Sequence, residues 1–436
     1  KALYGTFIFV TSYPRNAAAL LGFCIAMPCL AFGLKAVFLG AACGGIGVLA
    51  LPGIAWCSLL LAWFPKPRGP HSVGSRDVQI RIRNSATVSS EHNHFCARLH
   101  YPSSFSNKGS HKWLPDPEAE YCKALGGVYG LPASISSLLL YPARFIRTRS
   151  AKDAPLADGS WPVALFSHGF CGTRTMYSAL CTELASHGYF VVAPEHTDGS
   201  AALAVTGEKT VAYAPRVQSD QVQQLRQRVL ELESCWEALS ELERHFEKSL
   251  DLSRCVLMGH SFGSASVACV ASAEPFRARS TLVLLDPWMG PALSIFKTVQ
   301  APTLAIMQGC SMLWPANACD VVQLLSVLNS ESQPAFLTEI LGARHQDASD
   351  VPFFLHFPMA LLCASSMTRS GRWVWQRNSE LIQQFLNFGC EDETTQFERL
   401  AAVSGVHVHK WKNWVCKETN CVSESTYKID KSAMGA

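Results

Sequence analysis

The sequence predicts an α/β fold: a mostly parallel sheet covered by helices on both faces. Three observations carry this expectation. Short runs apolar at every position recur from Val163 onward, as strands buried on both faces require. A long amphipathic stretch, 222–246, separates two of them with helical spacing. Across 436 residues the chain is 48% hydrophobic and only 16% charged, enough apolar matter for a large core and too much for a disordered chain. The net charge of +3 is no footprint for nucleic acid, so none is expected as a partner.

In chain order, the first element is hydrophobic. No charged residue occurs from Asn16 to Leu34 or from Ala36 to Pro65. As a helix the second run would be about 40 Å long, against a bilayer core of about 30 Å. A transmembrane helix is therefore expected here, and a second is possible although Pro28 interrupts the shorter run. A signal peptide has an apolar stretch of only roughly 7 to 15 residues and fits this length poorly. Lys and Arg flank both sides, so no orientation follows. Pro65, Pro67, Gly69 and Pro70 read as a linker. The expected organisation is a membrane-anchoring region over 1–66, a catalytic domain over 67–390, and a peripheral tail over 391–436.

Within the domain, 78–83 alternates apolar and polar as a half-buried strand does, and 95–101 resembles a second. The fully apolar runs 163–166, 190–193, 255–258, 281–285, 303–306 and 335–337 follow, the strands of the parallel sheet. In the helix over 222–246, Val222, Leu225, Val229, Leu232, Trp236, Leu239, Leu242 and Phe246 share one face, and its Glu and Arg residues read as the solvated face. The 17 cysteines are odd in number and scattered, as small buried hydrophobes are; Cys416 and Cys421 could still bridge. The apolar stretch 351–365 reads as a helix over the sheet, with docking on a lipid surface as the alternative. His407 and His409 lack a spaced ligand set, so no metal site is expected.

The chemistry is concentrated at Gly259-His260-Ser261-Phe262-Gly263, which follows the run 255–258 and precedes an Ala/Ser-rich helical stretch. G-x-S-x-G between a strand and a helix is the nucleophile elbow of α/β-hydrolases. Gly259 and Gly263 let strand and helix backbones approach, and Ser261 is the nucleophile. In this architecture the acid and the histidine follow the serine in that order, at the ends of later strands. Asp286 directly ends the run 281–285, and the next strand is followed by no carboxylate before Asp320, so Asp286 is the expected acid. His345, in the loop after the last apolar run, is the expected general base; His260 and His356 are its rivals. The oxyanion hole is expected from the backbone N–H groups of Phe262 and of Phe170, in the loop 167–172. His168 in that loop reads as structural.

Several segments together are more specific than the elbow. Ala97-Arg98-Leu99-His100-Tyr101-Pro102, Phe166-Ser167-His168-Gly169, Tyr177-Ser178-Ala179-Leu180, Leu184-Ala185-Ser186-His187-Gly188-Tyr189, Glu195-His196-Thr197-Asp198, Leu285-Asp286-Pro287-Trp288-Met289 and His345-Gln346 resemble the platelet-activating factor acetylhydrolases, calcium-independent serine phospholipases A2. The resemblance runs from about Phe95 to Leu362. It implies a triad of Ser261, Asp286 and His345, oxyanion donors at Phe170 and Phe262, no cofactor, and hydrolysis of a short or oxidised sn-2 acyl chain from a glycerophospholipid at a membrane or lipoprotein-like surface. Ser264 stands where the family commonly has Gly, Thr197 departs from its E-H-R-D, and Phe170-Cys171 depart from its H-G-L-G. The alternatives are a serine carboxylesterase acting on non-phospholipid esters and a catalytically inactive membrane-anchored scaffold.

Overall fold

In a computed structural model of the protein, residues 64–82, 94–105, 111–207, 209–214, 220–246, 250–293, 295, 301–309, 311, 315–328, 333–354, 369–387, 392–409, 414–417 and 420–423 are described. The hydrophobic run 1–63, and the apolar stretch 351–365 beyond Phe354, lie outside them. Among the described residues no helix is long and apolar enough to cross a membrane.

The fourteen described strands are β1 (Ser72–Arg81), β2 (His94–Ser103), β3 (Ala151–Lys152), β4 (Trp161–Ser167), β5 (Phe190–Pro194), β6 (Leu203–Thr206), β7 (Lys209–Ala212), β8 (Leu250–His260), β9 (Ser280–Leu285), β10 (Thr303–Gln308), β11 (Ala335–Ile340), β12 (Val406–His409), β13 (Trp414–Lys417) and β14 (Asn420–Ser423). Ten form one sheet in the order β12-β11-β10-β9-β8-β4-β5-β2-β1-β3. From β5 to β11 the neighbours are parallel; β2 joins β5, and β12 joins β11, antiparallel. This is the mostly parallel sheet that the fully apolar runs require.

The helices are α1 (Glu118–Val128), α2 (Ala133–Leu139), α3 (Ser178–Ser186), α4 (Gln221–Glu237), α5 (Leu239–Phe246), α6 (Phe262–Val270), α7 (Pro315–Leu328), α8 (Gly371–Leu386) and α9 (Glu393–Ala401). Alternate strand residues feed two cores. Val163, Leu165, Leu257 and Leu284 pack under α4, α6 and α7, whereas Ala164, Phe166, Met258 and Val283 pack under α3, α8 and α9. Burial of both faces explains why these strands carry no polar alternation.

Two expectations change here. The boundary at 390 falls inside the fold, because α9 packs on this second core and β12 extends the sheet by pairing Val406–His409 with Ile340–Leu337. His407 and His409 are thus edge-strand residues, and His409 Nε2 meets Glu339 Oε2 at 2.9 Å. The polar side of α4 is also not simply solvated. Gln224, Arg228 and Glu231 are fully buried, Arg228 beneath the loop 167–172 and Gln224 and Glu231 against the segment 196–198.

Candidate active site

β8 crosses the middle of the sheet and ends at His260, and α6 begins at Phe262, so Ser261 alone makes the turn. Its backbone, φ 55° and ψ −120°, lies in a region that side chains rarely adopt. Three hydrogen bonds hold it there: Ser261 N–H donates to Leu285 O (3.0 Å), and its carbonyl accepts from Ser264 N–H (3.0 Å) and Trp288 N–H (3.2 Å). The glycines are steric necessities. A Cβ on Gly259 would stand 2.3 Å from the Gly263 carbonyl, and one on Gly263 would stand 2.1 Å from Ser167 O.

Asp286 follows β9 directly, and His345 opens a short 3-10 turn after β11. The structure brings both to Ser261. His345 Nδ1 lies 2.5 Å from Asp286 Oδ2, and His345 Nε2 lies 3.0 Å from Ser261 Oγ. A carboxylate at Nδ1 keeps the ring proton there and leaves Nε2 as acceptor for the serine hydroxyl. Asp286 is itself held: Oδ1 accepts from Gln308 N–H (2.8 Å) and Oδ2 from the Ser311 hydroxyl (2.6 Å). Ser311, on the loop noted only for lacking a carboxylate, is a residue that sequence reasoning passed over.

The two expected oxyanion donors lie on the segment that follows the nucleophile and on the loop that passes beside it. Phe262 N–H opens α6, where a helix N-terminus adds positive potential. Phe170 lies in the loop after β4, whose Gly169 runs so close that a Cβ there would be 3.1 Å from Ser261 Cβ. Neither amide donates to a protein acceptor among the described residues. The Phe170 and Phe262 rings pack at 4.5 Å, and Trp288 lies 5.7 Å and 5.9 Å from them, an aromatic cluster that ties the loop after β4 to the start of α6.

The loop is fastened from beneath by groups that helical spacing had assigned to solvent. Arg228 Nη1 donates to His168 O (2.6 Å), its Nε to Asp198 (3.1 Å), its Nη2 to Ser200 Oγ (2.6 Å), and its guanidinium lies 4.7 Å from the Phe262 ring centre. Cys171, in the left-handed region at φ 60°, donates its N–H to Ser200 O (2.7 Å). Glu231 accepts from Thr197 N–H (2.9 Å) and approaches His196 Nδ1 at 2.6 Å, while His196 Nε2 meets Ser167 Oγ at 2.8 Å. The sequence signals for this layer are the S-H-G and E-H-x-D segments, and neither points to Arg228 or Glu231.

The other histidines of the region take different places. His168 Nε2 accepts from His196 N–H (3.2 Å) and its Nδ1 meets Gly169 O (2.8 Å), a loop-shaping role. His260 faces away from the serine hydroxyl, with Nε2 on His345 O (3.0 Å) and Nδ1 on Tyr177 OH (2.7 Å). Burial and the neighbouring His345 hold its pKa well below the ordinary histidine range. His356 lies outside the described residues. His260, Asp286 and His345 have donor atoms within 4.8 Å of one another, spacing that could hold a metal ion, but the ring nitrogens are already engaged in these hydrogen bonds.

The His345 loop ends at Asp350, whose carboxylate accepts from Ser178 N–H (2.7 Å), Ala179 N–H (3.0 Å) and Trp113 Nε1–H (3.0 Å), closing the start of α3. Burial raises this carboxyl from 3.8 to about 7, against the pull of those donors. The folded chain then holds the proton more tightly than the unfolded one. This contribution to stability is complete below the ordinary carboxyl pKa and is lost as pH rises through about 7. Thermal melts should therefore show wild type losing stability relative to Asp350→Asn between about pH 4 and about pH 7, with little further change above that. Parallel melting curves would mean that Asp350 titrates normally.

Against known proteins, residues 61–365 match the family model described as platelet-activating factor acetylhydrolase, isoform II. The chain belongs to this family. The platelet-activating factor acetylhydrolase of Cavia porcellus is 33% identical over 258 residues, 52% of this chain and 56% of that protein. That of Canis lupus familiaris is 28% identical over 332 residues, 69% of this chain and 71% of that protein. The chain thus spans little more than half of the first relative's length. A ferulic acid esterase from Streptomyces cinnamoneus, 18% identical, superposes with a TM-score of 0.59 over 80% of this chain and 99% of that one, so the two chains share a fold. The family match covers β1 to β11 and every residue of the site described above.

Proposed function

We propose that the chain is a serine esterase that releases acetyl or other short or oxidised sn-2 acyl groups from platelet-activating factor-like glycerophospholipids. The observation that carries this reading is the Ser261–His345–Asp286 hydrogen-bonded series at a strained elbow, in a chain of this family. Ser261 Oγ attacks the sn-2 carbonyl carbon as its proton passes to His345 Nε2, and Asp286 supports the resulting imidazolium. The carbonyl oxygen, now negative, accepts from Phe170 and Phe262 N–H. Collapse expels the lysophospholipid alkoxide, which takes the proton from His345 and leaves an acyl ester on Ser261. Water then attacks that ester with His345 again as base, releasing the carboxylic acid and restoring the serine.

The uncharged stretch 36–65 would hold the enzyme at a membrane, where such substrates reside. Ile135, Leu138, Tyr141 and Phe145, exposed on α2 and the turn after it, offer apolar contact to a lipid surface.

A substrate panel tests the reading. The purified chain should cleave a 2-acetyl glycerophosphocholine far faster than its 2-palmitoyl counterpart. Turnover of simple esters without the acetyl phospholipid would favour a carboxylesterase, and a folded chain inert to both would be an inactive scaffold.

A further inference from the structure

Two buried side chains beside the site take no part in the mechanism above, yet they join its two halves. Tyr177 stands at the start of α3, and its hydroxyl accepts from Gly169 N–H (3.3 Å) in the oxyanion loop and meets His260 Nδ1 at 2.7 Å. His260 Nε2 meets the backbone carbonyl of His345 at 3.0 Å. The polarity of this series is fixed at both ends. An amide N–H can only donate and a carbonyl can only accept, so Nε2 carries the imidazole proton and Nδ1 accepts from the tyrosine.

We propose that Tyr177 and His260 are positioning residues that lock the oxyanion loop and the general base to one another; this rests on the esterase reading above. Three further contacts confine the pair. The Tyr177 ring packs on Phe166 at 4.8 Å, the His260 ring lies 4.5 Å from that of His345, and a Cβ on Gly169 would come within 3.2 Å of His260 Nδ1. Asp350, five residues after His345, holds the first amides of α3 immediately after Tyr177. The His345 loop therefore fixes Tyr177 through Asp350, and Tyr177 fixes Gly169 and, through His260, the His345 carbonyl. A closed ring of contacts sets the spacing between the N–H groups that receive the oxyanion and the imidazole that receives the proton. A small drift in that spacing costs turnover rather than affinity.

The test is a double-mutant cycle on 4-nitrophenyl acetate, a soluble ester that needs no lipid surface, with kcat, KM, fluorophosphonate labelling rate and melting temperature measured for each variant. Tyr177→Phe should lower kcat and labelling about tenfold, the effect of one lost hydrogen bond, with KM little changed. His260→Ala should lose more. His260→Gln, whose amide can donate to His345 O and accept from Tyr177, should recover most of the rate. Because both residues act in one series, Tyr177→Phe combined with His260→Ala should cost little more than His260→Ala alone. Losses that multiply, losses confined to KM, an unchanged Tyr177→Phe, or no recovery in His260→Gln would each overturn the proposal. A folded wild type that neither labels nor turns over removes the esterase reading and the proposal with it.

Discussion

Ser261→Ala should abolish fluorophosphonate labelling and lower ester turnover by on the order of 10⁴ to 10⁶, while the fold survives. The size follows from what the hydroxyl does: without Oγ no acyl-enzyme forms, and the oxyanion donors and binding site retain only a residual advantage over water. Stability should hold or rise slightly. The native residue is kept at φ 55° by its neighbours, and alanine at the same place meets the same strain without a polar group to satisfy. Circular dichroism and melting curves beside the rate measurement separate lost chemistry from lost structure. Residual labelling in the variant would place the reactive nucleophile elsewhere.

Asp286→Asn should lower kcat by about 10⁴ with KM nearly unchanged. An asparagine fits the same space, yet an amide that turns its nitrogen toward His345 Nδ1 imposes the tautomer with Nε2 protonated, which cannot take the serine proton. Its oxygen can still accept from Gln308 N–H, so the loop after β10 should keep its place. Ser311→Ala, which removes one donor to Oδ2 and leaves the carboxylate on His345, should cost only about tenfold. A ranking in which Ser311→Ala equals Asp286→Asn would mean that the carboxylate acts mainly by anchoring the loop.

Much of this arrangement is visible in the sequence because the groups that form it sit at ends of strands. Asp286 follows four apolar residues, His345 follows β11, and the Gly-x-Ser-x-Gly turn stands between a buried strand and a small-residue helix. The helical stretch 222–246 shows where legibility stops. Its apolar spacing fixes which face meets the sheet, but spacing cannot say what lies over the polar face, and that is the oxyanion loop above Arg228 and the segment 196–197 above Glu231. The helix also breaks at Ala238 into α4 and α5. Val406–His409 falls in the expected tail because four residues alternating with histidine carry little strand signal alone; pairing with β11 supplies the rest. Tyr177 and His260 were legible as family-like segments, whereas their joint hydrogen bonding arises from contacts across 83 residues of chain.

Ser261 should carry the acyl group between two half-reactions on a short-chain phospholipid. Rapid quenching of the enzyme during turnover of a 2-acetyl glycerophosphocholine, followed by mass spectrometry of its peptides, tests this directly. An acetyl adduct should form on Ser261, be absent from Ser261→Ala, and be strongly reduced in His345→Ala, because His345 is also the base for the acylation step. Turnover without any adduct on Ser261, or an adduct on another residue, would contradict it.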